Sequence, residues 1–177
     1  MSEIENLIEA HTEKAYAAAY HLTGNQADAG DLVQETFLRV IKRAELYDPA
    51  FDFGGWLHRI LFRVYLNGRR SRERRREVPL EPGDGQGEAG AREFEAAPGE
   101  APDKIMENKE LKARIARALD ALAPDLRACV VLVDIEGCGY EQAAETLGWP
   151  VGSVAGRLFR ARKILRGVLG QPGEGGL

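Results

Sequence analysis

Apolar residues recur at helical spacing in two separate stretches of this chain, and the segment between them has no such rhythm. From residue 3 to about 22, Ile4, Leu7, Ile8, His11, Ala15, Ala18 and Ala19 fall roughly on one side, which predicts a first helix. LTGNQAD interrupts it: Gly24 suits a helix C-cap, and Asn25 with Asp28 three residues later suits the next N-cap. A second helix is predicted over about 26–45. Val33, Phe37, Val40, Ile41 and Ala44 take one face, and Asp31, Gln34, Glu35 and Lys42 take the other. Pro49 and the Gly54-Gly55 pair make YDPAFDFGG a loop. A third helix is predicted over about 55–73. Leu57, Ile60, Leu61 and Val64 would face a core. Trp56, Arg59, Arg63 and Arg70 share one side, with His58, Phe62, Tyr65 and Arg69 beside them. Three helices in this span predict a small bundle.

Residues 77–103 are rich in Pro, Gly and acids and cannot bury enough apolar surface to order themselves, which predicts a flexible linker. Its 27 residues would span roughly 30 Å as a coil and about 90 Å fully extended. Helical periodicity then returns. Asp103 is the expected cap of a helix to about Leu122 that buries Ile105, Leu111, Ile115, Ala118, Leu119 and Leu122. APDLRACVVLVDIEG places Pro124 in a helix's first turn and Gly137 at its end. YEQAAETLG is a short helix stopped by Gly148, Trp149-Pro150 a tight turn, and VGSVAGRLFRARKILRGVL a longer helix. In that last helix Val154, Leu158, Ala161, Leu165 and Val168 point inward, and Arg157, Arg160 and Lys163 line the opposite side. A short helix, a glycine-containing turn and a longer basic helix predict a helix-turn-helix. The expected fold is all-α: helical domains at 1–76 and 104–170, the acidic linker 77–103 between them, and a frayed glycine-rich tail at 171–177.

Charge sharpens this picture only when it is resolved along the chain. The formal total of -4 over 177 residues does not advertise nucleic-acid binding. Residues 57–76, however, hold eight arginines against Glu73, leaving +7, and residues 77–103 hold eight acids against Arg92, leaving -7. The blocks cancel in the sum and conceal a basic, aromatic helix face next to an acidic tether. An acidic, polar face on the second helix and a basic, aromatic face on the third suggest two partners, a protein and a nucleic acid.

Cys129 and Cys138, without a nearby histidine cluster, argue against a disulfide framework or zinc site and for reduced thiols. MSEIENLIEAH has no apolar core of a signal peptide, and no apolar run is long enough to span a membrane. The expectation is a cytoplasmic protein without membrane insertion. No nucleophile triad, phosphate-binding glycine loop or metal-ligand spacing is evident, so neither an enzyme nor a metal or cofactor is expected.

HLTGNQADAGDLVQETFLRVIKR, then FGGWLHRI and an arginine run, resembles the promoter-melting domain of extracytoplasmic-function sigma factors. LAPDLRACVVLVDIEGCGYEQAAETLGWPVGSVAGRLFRARKIL resembles their C-terminal domain. The two motif sets stand in the family's order and cover about 150 of 177 residues. The resemblance implies a factor that binds core RNA polymerase, directs it to a promoter and helps open the DNA. It implies that Asp28, Asp31, Gln34, Glu35 and Phe37 dock on the clamp helices of the β′ subunit, with further contact to β. It implies that Trp56, His58, Arg59 and Arg63 meet the non-template strand of the −10 element, with Phe62, Arg69 and Arg70 on the same helix. The loop from about Phe51 to Gly55 would receive a flipped base. Phe159 and Arg160, with Arg157, Ser153 and Lys163, would meet the −35 element. It further implies that an anti-sigma factor holds the domains away from polymerase, and that the linker follows the RNA path. Four positions depart from the family's usual residues. Arg63 stands where Asn is common, Asn67 where Asp is common, and Ala155-Gly156 where a cation and a hydroxyl residue are usual. Missing donors at 155 and 156 predict loose −35 reading, carried by phosphate contacts more than base edges.

Each of these residues also has a plainer reading. Trp56, Phe62 and Tyr65 could be core residues, the arginine run a solvated helix end, and Asp28, Asp31 and Glu35 helix-start acids favoured by the dipole. The helix-turn-helix could belong to a polymerase-independent regulator binding duplex DNA as a dimer, or the chain could be an adaptor that docks on polymerase without reading DNA.

Overall fold

Asn25 sets the first corner of the molecule. Its side-chain oxygen accepts a 2.8 Å hydrogen bond from the Asp28 amide, and its side-chain NH2 donates to the Asp28 carboxylate at 3.0 Å. This satisfies an open N–H of the following helix and brings a negative charge to its positive end. The structure, a computed structural model, describes residues 3–76 and 102–170, without the side chains of 72–76 and 102–106.

Helix α1 (Glu3–Thr23) precedes this corner and α2 (Gln26–Lys42) follows it. Instead of running to 45, α2 gives way to a 3-10 turn at Ala44–Leu46. Helix α3 (Phe53–Arg76) begins two residues earlier than its glycine pair suggested. The Asp52 carboxylate accepts from the Gly55 amide at 2.7 Å, so a side-chain cap outweighs the glycines' low helix propensity. Residues 77–101 of the predicted linker, and the tail 171–177, lie outside the described residues.

Helix α4 (Pro102–Asp120) starts ahead of the expected boundary. Asp103 therefore lies inside the helix rather than capping it, because proline's fixed φ and missing N–H suit a first turn. Helix α5 (Pro124–Val130) continues as a wider π-helical turn over Val131–Ile135, in which the Glu136 amide reaches back to the Val131 carbonyl at 2.9 Å. Helices α6 (Tyr140–Leu147) and α7 (Val151–Leu169) form the predicted helix-turn-helix. Gly148 ends α6 at φ +70°, a left-handed conformation that a side chain disfavours.

Burial follows the predicted stripes with three corrections. In α2 the buried set is Ala29, Leu32, Val33, Thr36 and Val40, whereas Phe37 is half-buried and Ile41 is 54% exposed. The inward face is thus turned toward Leu32 and Thr36, whose hydroxyl is satisfied by the Leu32 carbonyl at 2.7 Å. Among the described side chains of α4, those buried are in its last turn, Ala118 and Leu119, with Leu122 just beyond it, while Leu111 and Ile115 are exposed and Ile105 lies outside the described side chains. In α3 the buried face is wider than predicted, taking Phe62 (0%) and Tyr65 (5%) along with Leu57, Ile60, Leu61 and Val64.

These extra residues are buried because the two helical units are packed together. Their apolar interiors merge into one cluster that runs from Ala15 in α1 to Ala161 in α7. Helix α3 lies against α5 and α6, and α1 against α4 and α5. The helix-turn-helix is thereby seated on the basic, aromatic side of the N-terminal bundle.

Candidate functional site

The acidic face of α2 is open. Asp31, Gln34 and Glu35 are exposed, and Glu35 pairs with Arg39 one turn on at 2.7 Å. Asp28 is half-buried through its capping role and Phe37 through packing on the core. Beside them stand Leu38, Ile41 and Leu46, exposed by 48%, 54% and 74%. Periodicity alone assigned Ile41 to the core and passed over Leu38. The sign available in the sequence was an apolar excess on α2 too wide for a single buried stripe. The face is acidic with an apolar margin, as a protein partner with cations around an apolar centre would need.

The loop before α3 is built from its own aspartates and aromatics. Asp48 accepts from the Ala50 amide at 2.9 Å, and Tyr47 donates from its hydroxyl to the Phe51 carbonyl at 3.0 Å. Phe51 is left 70% exposed at the tip. Behind it Tyr47, Phe53 and Trp56 pack ring against ring at 5.3–5.9 Å, with His11 edge-on to Phe53 at 5.2 Å. Trp56 is therefore half-buried in an aromatic cluster that fixes the loop.

Along α3 the residues assigned to the −10 strand meet the helix-turn-helix unit. His58 Nε2 lies 3.3 Å from a Glu136 carboxylate oxygen, and its Nδ1 lies 2.9 Å from the Gly54 carbonyl. Burial alone would push the His58 imidazole down, but its hydrogen bond to Glu136 and that carboxylate's charge, together with Gly54 and Asp52, hold it above the usual value. Arg59 is bound to Glu145 of α6. Phe62 is fully buried with its ring stacked on His58 at 6.3 Å, so in this arrangement it cannot reach a base. Arg63 and Arg70 are exposed, and the Arg69 guanidinium lies 5.9 Å over the Tyr65 ring.

On α7, Phe159 (69% exposed), Arg160 and Lys163 face outward together. Arg157 does not join them freely. Its guanidinium sits 4.3 Å above the Trp149 ring, 3.3 Å from the Ser153 carbonyl and 3.6 Å from Asp125. It braces the turn of the motif against α5. A Cβ added at Gly156 would meet nothing within 4 Å, so the recognition surface has a gap there. Arg162, on another side of α7, donates to Asp134 at 2.6 Å and to the Tyr140 hydroxyl at 3.2 Å. These bonds fix α7 against the π-helical turn and α6.

No helix among the described residues is long and apolar enough to cross a membrane. Residues 7–75 match the Sigma-70 region 2 family, and residues 112–165 match the Sigma-70 region 4 family. The chain is 41% identical over 171 residues to the ECF RNA polymerase sigma factor SigE of Mycolicibacterium smegmatis, covering 96% of this chain and 62% of that protein. It thus spans somewhat less than two thirds of that relative's length. It is 37% identical to the ECF RNA polymerase sigma factor EcfG of Rhodopseudomonas palustris, over 86% of this chain and 77% of that one. Its fold is similar to that of the sigma factor RpoE solved with the anti-sigma factor NepR from Bartonella quintana, with TM-score 0.69, 23% identity, and coverage of 96% and 98%. CnrH, solved with the cytosolic domain of CnrY, superposes with TM-score 0.62 at 26% identity, covering 94% of this chain and 87% of CnrH.

Proposed function

This chain belongs to the extracytoplasmic-function (ECF) RNA polymerase sigma factors, and we propose that it binds core RNA polymerase, directs it to specific promoters and assists melting of the −10 element. The observation that supports this most is the pairing on one chain of region 2 and region 4 matches, each carrying exposed side chains of the charge its task needs. Asp31, Gln34 and Glu35, with Asp28 and Phe37 behind them, are the proposed polymerase contacts on the β′ clamp. Phe51, Trp56, His58, Arg59, Arg63, Arg69 and Arg70 are the proposed −10 contacts. Ser153, Phe159, Arg160 and Lys163 are the proposed −35 contacts, with Arg157 placing the motif.

Magnitudes support a division of labour with a larger machine. A base stacked on an aromatic ring is worth roughly 1–3 kcal/mol, so one or two captured bases give about 2–6. Opening a dozen base pairs at about 1.4 kcal/mol per step costs on the order of 15. The difference must come from a partner with its own DNA channel, which is what an acidic docking face implies. The two DNA zones would lie about two duplex turns, or roughly 70 Å, apart. The 27-residue linker with two small domains can span that distance.

Action at the polymerase places the protein in the cytoplasm, and the role requires no catalytic chemistry of its own. Because RpoE was solved with the anti-sigma factor NepR and CnrH with the cytosolic domain of CnrY, we extend the proposal to an anti-sigma factor for this chain. The test is run-off transcription from promoter fragments with core polymerase, with and without the protein. Specific transcripts only in its presence support the proposal. Promoter binding by the protein alone, or failure to associate with core, overturns it.

A further inference from the structure

Phe51, proposed to meet the −10 strand, has an uncovered ring on a fixed backbone. The ring is 70% exposed. Residues 48–51 beneath it form a β-turn, in which the Phe51 amide donates to the Asp48 carbonyl at 3.0 Å and the Ala50 amide to the Asp48 carboxylate at 2.9 Å. An aspartate at the first position and Pro49 at the second favour such a turn, the proline because its φ is already set. The Tyr47 amide donates to the Ala44 carbonyl at 3.1 Å, which ties the loop to the 3-10 turn. The Phe51 carbonyl in turn accepts from the Tyr47 hydroxyl at 3.0 Å. Tyr47 is itself anchored. Its ring packs on Phe53 and Trp56 at 5.3 Å each, and His11 of α1 stands edge-on to Phe53 at 5.2 Å. A Cβ at Gly54 would lie 3.1 Å from the Asp52 carboxylate and 3.3 Å from the His11 ring, so α1 closes on the start of α3 with little room for a methyl group.

We propose that Tyr47 is a positioning residue for strand capture: anchored in the aromatic cluster, its hydroxyl holds the Phe51 backbone so that the ring stands ready to stack on an unpaired base before DNA arrives. This rests on the sigma-factor reading for what Phe51 does, and adds the residue that aims it. An aromatic ring stacks on the face of any base, so Phe51 supplies affinity for the strand and its worth depends on where the ring stands. A loop that orders only on binding subtracts its ordering cost from that stacking, whereas a loop fixed beforehand keeps the whole of it. Tyr47 touches no base and acts only through Phe51. Removing the Phe51 ring should therefore weaken strand binding about tenfold. Removing the Tyr47 hydroxyl should weaken it about fivefold, the net worth of an ordinary hydrogen bond.

The test is a double-mutant cycle in the full chain assembled with core polymerase, using Tyr47→Phe, Phe51→Ala and both together. Phenylalanine keeps the ring that packs on Phe53 and Trp56 and removes only the hydroxyl; circular dichroism checks that each variant is folded. Fluorescence anisotropy measures the affinity of each complex for a labelled single strand carrying the −10 element of a promoter that gives a run-off transcript. Expected are a loss of about fivefold for Tyr47→Phe, about tenfold for Phe51→Ala, and no further loss in the double variant, because without the ring there is nothing to position. A Tyr47 that only supports the fold would cost the same in both backgrounds, and such additive losses overturn the positioning role. Binding by Tyr47→Phe or by Phe51→Ala equal to that of the wild type overturns it as well. Run-off transcription reads the sigma assignment separately. A wild type that drives no transcript removes that assignment and the positioning role with it, whereas transcription with additive losses removes the positioning role alone.

Discussion

Arg127 donates a 2.6 Å hydrogen bond from Nε to the carbonyl oxygen of His21, 106 residues earlier in the chain. His21 lies in the last turn of α1, where helix carbonyls have no intrahelical partner and the dipole is negative. An arginine from the second unit thus caps a helix of the first. Its other contact, Asp120 at 3.0 Å, is to a side chain that is 61% exposed.

Because Arg127 is buried and Asp120 is not, their replacements should differ. Arg127→Ala removes a buried charged donor from the part-buried His21 carbonyl and is expected to cost on the order of 3 kcal/mol. Asp120→Ala should cost no more than about 1 kcal/mol. Urea unfolding of both variants checks this, and equal losses would show that the Arg127–Asp120 pair within the second unit, rather than the cap on α1, carries the effect.

The seam between the units should respond to pH in two opposing ways. It holds Asp52, Glu136, Lys14, Cys138 and all three histidines. His58 sits above its ordinary value of 6.5 because Glu136 favours its charged form over the effect of burial. Its contribution is therefore complete below pH 6.5 and is lost as pH rises through the elevated pKa. His21 sits below 6.5, chiefly through burial, with Arg127 adding to the effect and Glu136 opposing it. Its contribution is complete above 6.5 and is lost as pH falls through its lowered pKa. NMR titration should find the His58 midpoint above 6.5 and the His21 midpoint below it. Glu136→Gln should bring His58 down and push His21 down further.

Charge reversal on the exposed side of α2 should weaken polymerase docking without loosening the fold. Asp31→Lys with Gln34→Lys is expected to reduce affinity for core by about tenfold or more, mostly through a slower association rate that salt conceals. Surface plasmon resonance at two ionic strengths reads both effects. Unchanged binding would move the docking surface to the apolar margin of Leu38, Ile41 and Leu46.

Two arginines on α7 should separate by phenotype. Arg160→Ala should weaken −35 duplex binding and reduce its salt slope by about one. Arg157→Ala should chiefly lower the melting temperature, since Arg157 is stacked on Trp149 and tied to Ser153 and Asp125. Gly156→Ala, which meets nothing, should stabilise the helix by about 1 kcal/mol. Ala155→Lys with Gly156→Ser should sharpen discrimination among −35 sequences, measured by competition with scrambled duplexes.

Cys129 is buried and its thiol is pushed up to about 11 by desolvation, whereas Cys138 is partly exposed. At pH 8 a thiol reagent should label Cys138 within the native state and Cys129 only on unfolding. Equal labelling would mean that α5 opens readily.

Much of this architecture was legible because its causes are local. Asn25, Pro124, Gly137 and Gly148 each fix a helix end through their own φ or side-chain hydrogen bond. Phe51 and Phe159 lie at a loop tip and on a helix's polar side, and both are exposed. What misled periodicity was breadth. Ile41 and Leu111 continue apolar stripes that the rest of the molecule does not cover, whereas Phe62 and Tyr65 lie beyond the predicted stripe and are covered. A stripe shows which residues can be buried, and the area offered by a neighbouring element decides which are.

By itself the sequence determined the helices, the helix-turn-helix, the acidic and basic faces and the family, since each rests on residues within a turn or two of one another. Only the tertiary structure decided that Glu136 and Glu145 meet His58 and Arg59, that Arg127 caps α1, and that Phe62 lies inside. These contacts join surfaces separated by the whole linker. No short-range pattern records them, because their free energy depends on how two finished surfaces match.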